Sequence, residues 1–241
     1  MPRFLRGPLF RWFAGRYGAE LGDIEGDIQQ FRSMQAFFRR SLRADARPVA
    51  ADANLVWPCD GRIVTVGAIA DGRIEQVKGN DYELADLLGD NELAMQLEGG
   101  QQATIYLAPG DYHRVHSPFA GCVERVAPLR GTLFPVNPPA VRSIDRLFVR
   151  NSRHVFHCRT ANGTPAAVVM VGAYNVGGTR VTVESGAIEC GQELGQFGFG
   201  STVVVAIGRG GGTFAELAPE HKVRMGEAAD AVANASAPSG E

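Results

Sequence analysis

The feature that most constrains the fold is a series of short apolar or alternating runs that begins near residue 55. Glycine, proline and aspartate separate these runs, for example at 59–61 and 109–111. Runs of this length with a period of two predict β-strands, and their regular spacing is typical of a sandwich or barrel. One helix is expected over 81–88. The predicted strands lie at 62–66, 103–107, 121–126, 155–158, 166–171, 180–188 and 202–207.

The N-terminal part of the chain has a different pattern and predicts helices. Residues 1–22 combine aromatic side chains with arginines at 3, 6, 11 and 16, and no acidic residue precedes Glu20. This composition is typical of a helix in a membrane interface, although a helix docked on its own domain would share it. Apolar residues at spacings of three and four predict a second helix over 27–43.

These patterns divide the chain into three parts. Residues 1–48 are expected to form a helical, membrane-associating segment, and residues 49–225 a β-rich domain. Residues 226–241 are rich in Ala, Ser, Pro and Gly, which predicts a disordered tail. The predicted fold class is therefore mainly β (α+β), with a β-sandwich or barrel core and a helical, amphipathic N-terminal segment.

Charge and composition exclude several classes of function. The 241 residues carry a formal net charge of −2, so the chain lacks the excess of positive charge that is typical of nucleic-acid-binding proteins. The chain has no run of about eighteen apolar residues, so no membrane span is expected. The four cysteines form no CxxC pair, so we expect reduced thiols in a cytoplasmic protein. Lysine occurs only as Lys78 and Lys222, which leaves two candidates for a lysine Schiff base.

Two histidines in one short segment are candidates for acid–base chemistry. His113 and His116 follow a turn, and histidine is the side chain suited to proton transfer near neutral pH. With His154 and His157 the pair could instead hold a metal ion, or all four could be ordinary core or surface residues. The pattern alone leaves these alternatives open.

A glycine–serine pair and an aspartate complete the candidates. Gly200-Ser201 could be a turn or a strand start, but the missing Cβ of glycine also lets the serine hydroxyl approach the preceding carbonyl. Asp60 precedes a glycine, which usually marks a tight turn. An aspartate can also orient a histidine, and the relay would then run in the order Asp60, His116, Ser201.

The order of these motifs resembles the phosphatidylserine decarboxylases, which use a pyruvoyl group made from their own serine. The resemblance runs from about residue 37 to 209. Two positions depart from it: Phe199 replaces the usual leucine, and Ser152 stands where a glutamate is common. The motifs are Phe37-Phe38-Arg39-Arg40-Ser41-Leu42 with Arg47-Pro48, Pro58-Cys59-Asp60-Gly61, Lys78-Gly79-Asn80-Asp81-Tyr82-Glu83-Leu84 with Leu87-Leu88-Gly89, Tyr112-His113-Arg114-Val115-His116-Ser117-Pro118, Val171-Gly172-Ala173 with Asn175-Val176-Gly177, and Gly195-Gln196-Phe197-Gly198-Phe199-Gly200-Ser201-Thr202.

The resemblance implies a self-processing proenzyme. His116, oriented by Asp60, would remove the hydroxyl proton of Ser201, and the oxygen would attack the Gly200 carbonyl to turn the amide into an ester. β-Elimination would then leave a β chain that ends at Gly200 and an α chain that starts at Ser201. Hydrolysis of the dehydroalanine would give a covalent pyruvoyl group at Ser201 and ammonia.

The resemblance also implies the decarboxylation of phosphatidylserine to phosphatidylethanolamine and CO₂ through a Schiff base, with His113 as the proton donor to the carbanion. The expected partners are phosphatidylserine, a membrane surface, the two chains of one precursor and a second copy in a homodimer. No metal and no nucleic acid are expected. The expected location is peripheral, on the cytoplasmic face of the cell membrane. The apolar stretch 132–141 is expected near acyl chains or the membrane, or as a rigid surface loop.

Three other functions stay open on the sequence. One is a related pyruvoyl decarboxylase that acts on a soluble amino acid, which the basic aromatic N-terminus disfavours. Another is an unprocessed, non-enzymatic β-barrel binding module. The third is a zinc hydrolase that uses His113 and His116. The mass of the denatured protein distinguishes a processed enzyme from an uncut chain.

Overall fold

The computed structural model describes residues 2–77, 79–173, 179–198 and 201–230. The helices within these ranges are α1 (Arg3–Tyr17), α2 (Met34–Phe38), α3 (Leu84–Leu88), α4 (Asn91–Gln96), α5 (Pro138–Ser143) and α6 (Leu147–Arg150). The strands are β1 (Gly61–Ala68), β2 (Arg73–Val77), β3 (Asn80–Glu83), β4 (Gln101–Leu107), β5 (Arg114–His116), β6 (Gly121–Leu129), β7 (Arg153–Thr160), β8 (Pro165–Gly172), β9 (Arg180–Val181), β10 (Gly186–Ile188), β11 (Glu193–Gln196), β12 (Ser201–Ile207) and β13 (Lys222–Val223).

The strands pair antiparallel into a large sheet and two small ones. The large sheet has eight strands in the order β10-β6-β7-β8-β12-β4-β1-β13, the second has the order β5-β11-β9, and β2 pairs with β3. Side chains alternate between faces, so Val203 and Val205 of β12 enter one core and Val204 the other. The first core also contains Val115 and Leu194 from the three-stranded sheet, so the two sheets pack as a sandwich.

The second core lies on the opposite face of the large sheet. The β2–β3 hairpin and helices α3 and α6 cover it with Ile74, Tyr82, Leu87 and Leu147, all of them buried. The large sheet is therefore apolar on both faces, with the three-stranded sheet on one face and the hairpin and helices on the other. This is the mainly β, α+β class expected from the sequence, and the prediction of that class is confirmed.

Most predicted strands fall inside observed ones. This holds for 62–66, 103–107, 121–126, 155–158, 166–171 and 202–207. The run over 180–188 divides into β9 and β10. The predicted helix over 81–88 was wrong in its first half, because Asn80–Glu83 pairs with β2 and only Leu84–Leu88 is helical.

The N-terminal segment forms a third, separate aromatic core. Phe10 and Phe13 of α1 pack against Phe37 and Phe38 of α2, and the Phe10 and Phe37 rings stack at 4.8 Å. The single helix predicted over 27–43 was wrong. A 3-10 turn capped by an aspartate precedes α2, and an extended Phe31 separates the two.

A side-chain cap at Ser33 explains why α2 begins at Met34. The Ser33 hydroxyl accepts a hydrogen bond from the Ala36 N–H at 3.1 Å, which satisfies one of the free donors of a helix start. The spacing of apolar residues continues across this break, but the extended Phe31 ends the 3-10 turn and the Ser33 cap starts α2. Within the described residues, no helix is both long and apolar enough to cross a bilayer.

The beginning of the predicted tail packs against the core. Ala228 forms a bridge with Val56, Asp230 forms one with Phe214, and Ala229 is fully buried. The tail prediction was therefore wrong for 226–230, and residues 231–241 lie outside the described residues. All four cysteines are free thiols.

Candidate active site

The start of β12 places Ser201 at one end of the large sheet. Its register partners are Leu107, where β4 ends, and Gly172, where β8 ends. On the far side of β4, β1 begins at Gly61, so Asp60 lies beyond the same sheet end. Neighbouring strands are about 4.8 Å apart, so two strand spacings, roughly 10 Å, separate Ser201 from the β1 end.

The hydroxyl of Ser201 is buried and has no hydrogen-bond partner among the described residues. Alternation along β12 puts its side chain on the same face as Val203 and Val205, toward the core shared with the three-stranded sheet. An unpaired buried hydroxyl costs about 1–3 kcal/mol, which is unfavourable for a serine with a purely structural role. Gly200, the other half of the predicted cleavage site, lies outside the described residues, as does Phe199.

His113 is fully buried in the loop that leads into β5. Its Nδ1 lies 2.8 Å from the Asp111 carbonyl, and its own carbonyl accepts from the Phe197 N–H at 2.9 Å. A carbonyl can only accept, so Nδ1 carries the proton and Nε2 the lone pair. Among the described residues, Nε2 has no hydrogen-bond partner. Burial lowers the pKa of His113 to about 3, so the ring is neutral at physiological pH.

His116 is held at both ring nitrogens. Its Nδ1 donates to the Gly191 carbonyl at 2.8 Å, and its Nε2 lies 3.2 Å from the Tyr112 hydroxyl, which donates to it. Burial lowers the pKa of His116, and the hydrogen bond to Gly191 opposes that shift. Both histidines are therefore neutral with Nε2 as the basic atom, but the lone pair of His116 is occupied by Tyr112.

Asp60 is paired with an arginine from the N-terminal segment. Arg47 donates from Nε to Oδ1 at 2.9 Å and from Nη2 to Oδ2 at 2.6 Å. Oδ1 also accepts from the Met225 N–H at 3.0 Å. The same guanidinium binds Asp23, whose pKa it lowers.

The predicted relay requires a contact between Asp60 and His116. His113 precedes β5 and His116 is its last residue, in the sheet that packs against the face of the large sheet on which the Ser201 side chain lies. A direct hydrogen bond from His116 to Asp60 is not among those of the described residues, and Gly191 and Tyr112 orient this ring instead. The predicted orienting contact is corrected accordingly: Asp60 is only the last of the influences that raise the pKa of His116.

Sequence reasoning assigned no role to three residues that the structure places at the site: Arg40, Arg47 and Tyr112. Arg47 binds Asp60, Tyr112 binds His116, and Arg40 donates to the loop before His113. Each lies within one of the family motifs, so the signal was present. Nothing in the linear pattern says which partner each would meet.

The alternative histidine ligands lie elsewhere. His154 and His157 are on β7, two strands from β12 in the large sheet. Burial lowers the pKa of both, and His157 Nδ1 lies 3.7 Å from an Asp90 carboxylate oxygen. Within the described ranges, no group of three or more His, Cys, Asp and Glu could hold a metal ion.

A cleft of about 480 Å³ lies beside the site, on the other face of the large sheet. Its apolar wall includes Val136 and Val141 from the 132–141 stretch, together with Tyr106, which pairs with Thr202 next to Ser201. Arg62 and Arg142 also line it. Its volume and apolar lining with a few polar groups are those of a small-molecule site.

Comparison with known proteins agrees with the motif order. A family model described as phosphatidylserine decarboxylase matches residues 34–230. The phosphatidylserine decarboxylase proenzyme of Alcanivorax borkumensis is 40% identical over 247 aligned residues, covering 92% of this chain and 84% of the relative. Proenzymes of the same name from Pseudomonas aeruginosa and Azoarcus sp. are also 40% identical over 91% of this chain, and the matches cover 84% and 83% of those relatives.

Proposed function

Because this chain belongs to the phosphatidylserine decarboxylase family of carboxy-lyases, we propose that it is a proenzyme that converts Ser201 into a pyruvoyl group and decarboxylates phosphatidylserine to phosphatidylethanolamine. The observation that carries the proposal is the buried hydroxyl of Ser201, unpaired among the described residues, at the first position of β12. A hydroxyl in this position is suited to attack the peptide bond that precedes it. The residues present therefore fit the formation of the group.

The sheet explains how two chains could remain one fold after cleavage. Residues 201–207 pair along their whole length with β4 on one side and β8 on the other. All seven side chains are buried. These hydrogen-bond ladders and apolar contacts would hold the new α chain in place, with its modified residue at the end of an inner strand of the sheet. When formed, a pyruvoyl group supplies the electron sink that decarboxylation of an α-amino acid requires.

The proton transfers are assigned to the two histidines. Both donate from Nδ1 to a main-chain carbonyl and present Nε2 as the basic atom. We assign removal of the Ser201 proton to His116, whose Nε2 must first lose the Tyr112 hydroxyl. We assign His113 to proton transfer during decarboxylation, because its Nε2 has no partner among the described residues.

The cleft beside Tyr106 is the proposed place for the acyl chains of the substrate. Its valine and proline walls offer an apolar surface, and Arg142 offers positive charge to a phosphodiester, whereas Arg62 is paired at 3.8 Å with Glu220 of the same lining. The register of β4 and β12 puts Tyr106 one residue from the Ser201 row. This supports an approach of a lipid headgroup around the sheet end.

Helix α1 is the proposed membrane contact. Its inner residues Phe10 and Phe13 are buried against α2, whereas Phe4 and Trp12 are 77% and 63% exposed. Exposed aromatic side chains among four arginines suit the interface of an anionic bilayer. The proposed location is peripheral, on the cytoplasmic face of the cell membrane.

A homodimer is part of the same proposal, and the mass of the native protein in solution tests it.

The relatives are named as proenzymes of phosphatidylserine decarboxylase, which does not favour a soluble amino acid as substrate or an unprocessed binding module.

The decisive experiment measures mass under denaturing conditions and product formation together. The wild-type chain should separate into residues 1–200 and 201–241, the second with a blocked, pyruvoyl N-terminus, and it should release CO₂ from phosphatidylserine vesicles. Ser201→Ala should stay intact and inactive, whereas the exposed Ser185→Ala control should behave as wild type. An intact wild-type chain that releases CO₂ would contradict the proposal.

A further inference from the structure

Arg40 is a buried cation just after α2. Its residue is 2% exposed, and its guanidinium lies over the Phe37 ring, 5.1 Å from the centroid. Nη2 donates to the main-chain carbonyls of Gly110 at 2.8 Å and Asp111 at 2.9 Å. Burial lowers the pKa of Arg40 to about 10. Burying a charge is unfavourable unless its hydrogen bonds are made, so the hydrogen bonds to the Gly110 and Asp111 carbonyls stabilise the buried guanidinium.

One carbonyl connects Arg40 to a candidate catalytic histidine. The Asp111 oxygen accepts from Arg40 Nη2 and also lies 2.8 Å from His113 Nδ1. A carbonyl oxygen has two lone pairs, so these two donors saturate it. The Asp111 carboxylate in turn accepts from the Ala108 N–H at 2.7 Å, which fixes the same residue from its side chain.

The residues after α2 and the segment 110–114 each donate hydrogen bonds to the other. The Phe38 and His113 rings meet edge-on, with their centroids 5.0 Å apart. Arg114, the residue after His113, donates back to the Arg39 carbonyl at 2.9 Å and to the Ser41 hydroxyl at 2.6 Å. The end of α2 therefore holds the histidine loop at several points.

We infer that Arg40 is a positioning residue for His113: through the shared Asp111 carbonyl it fixes the tautomer with the proton on Nδ1 and the lone pair on Nε2. The guanidinium orients the carbonyl, and the carbonyl accepts only from an Nδ1–H. Without Arg40, the Asp111 carbonyl loses the donor that orients it toward Nδ1, and the ring can exchange its proton between the two nitrogens. The consequence for turnover rests on the proposed role of His113, whereas the consequence for the tautomer does not.

The tautomer is measured directly by two-bond ¹H–¹⁵N correlation spectra of the imidazole rings. The parent for this experiment is the uncleaved Ser201→Ala chain, so that the readout is independent of activity. The chain has five histidines, and the signal lost in His113→Gln identifies the ring of interest. In Arg40→Met the His113 signal should shift from the Nδ1–H pattern toward the Nε2–H pattern. Arg43→Met, a change to an exposed arginine paired with Asp45, should leave it unchanged.

An unchanged His113 signal in folded Arg40→Met overturns the inference. If Arg40→Met does not fold, Arg40→Lys decides, because a single ammonium cannot orient both carbonyls as the planar guanidinium does. That variant should show a measurable Nε2–H population, and its absence overturns the inference equally.

Kinetics of the cleavable chain separate positioning from mere stability. Per molecule that carries a pyruvoyl group, kcat of Arg40→Met should fall about 10-fold with KM within about 2-fold, and Arg40→Lys should recover part of the loss. A variant that is only less stable would lose active molecules but keep kcat for those that remain. Changed tautomers without any decarboxylase activity in the wild type would refute the proposed function and leave the role of Arg40 intact.

Discussion

Arg47 holds both carboxylate oxygens of Asp60, with Nη2 2.6 Å from Oδ2 and Nε 2.9 Å from Oδ1. The two side chains are only 9% and 10% exposed, so each neutralises a charge that is largely removed from water. The pair joins the N-terminal segment to the start of β1, at the sheet end where Ser201 lies. Asp60 thereby has a structural role, whether or not it also serves a proton relay.

Removing one member of this pair should destabilise the fold strongly. Arg47→Met leaves the Asp60 carboxylate buried without its ion-pair partner, and breaking a buried pair in this way costs about 3–5 kcal/mol. Urea unfolding of the Ser201→Ala precursor measures the change. The control is Arg43→Met, whose ion pair with Asp45 is exposed, and the free energy of unfolding should change by less than about 1 kcal/mol. Equal effects of both variants would show that Arg47–Asp60 is not a buried interaction.

The hydroxyl of Tyr112 should restrain His116 rather than activate it. Tyr112→Phe removes the donor at Nε2 but leaves the Gly191 bond at Nδ1, which alone keeps the tautomer. We expect self-cleavage to proceed at least as fast as in the wild type, because the basic lone pair is released. Time-resolved gel analysis of freshly translated chain measures this rate. A 10-fold slower cleavage would instead assign Tyr112 a positive role in orienting the ring.

The two histidines should separate cleavage from decarboxylation. His116→Ala should leave the chain uncut, because the base for the Ser201 hydroxyl is gone. His113→Ala should be cut but should lose activity by about 100-fold or more, the usual contribution of a proton-transfer group. Intact mass and CO₂ release report the two steps, and the exposed His221→Ala is the control. Normal cleavage of His116→Ala would remove it from the maturation step.

Acid should destabilise the precursor partly through His113. Its pKa is about 3 in the folded chain, against an ordinary value of 6.5, so the unfolded chain binds more protons between these limits. Stability is therefore unaffected by this residue above pH 6.5 and falls as the pH is lowered toward 3. Between pH 7 and pH 4, His113→Gln should lose about 3 kcal/mol less stability than its parent. Parallel pH profiles for the two chains, measured by urea unfolding, would contradict the burial of a neutral ring.

Membrane binding should depend on the outer face of α1. Trp12→Glu places a charge where an exposed aromatic side chain would enter the interface, and vesicle sedimentation should show at least about 10-fold weaker binding. Met95→Glu is the matched control, since Met95 is 71% exposed but lies on α4. If both variants sediment equally well, α1 is not the membrane contact.

The sequence by itself determined most strands of the large sheet and the place of the candidate serine, Ser201, at the start of one of them. The continuous apolar run along 203–207 is consistent with a strand buried on both faces, and this local pattern needs no partner to be recognised. Ser201 at its start follows from the same pattern. Local periodicity did not find the break before α2, because an extended Phe31 ends the 3-10 turn and the Ser33 hydroxyl caps the start of the next helix.

Only the tertiary structure decided what the site residues touch. Asp60 met Arg47 rather than His116, and His116 met Gly191, which is 75 positions away in the chain. Arg40 reached Gly110 across 70 positions. Such contacts are set by which buried donors and acceptors packing brings within hydrogen-bond distance, since most buried polar groups are hydrogen-bonded once water is excluded. Sequence patterns report the faces of helices and strands, whereas the partners of buried polar groups depend on the assembled layers.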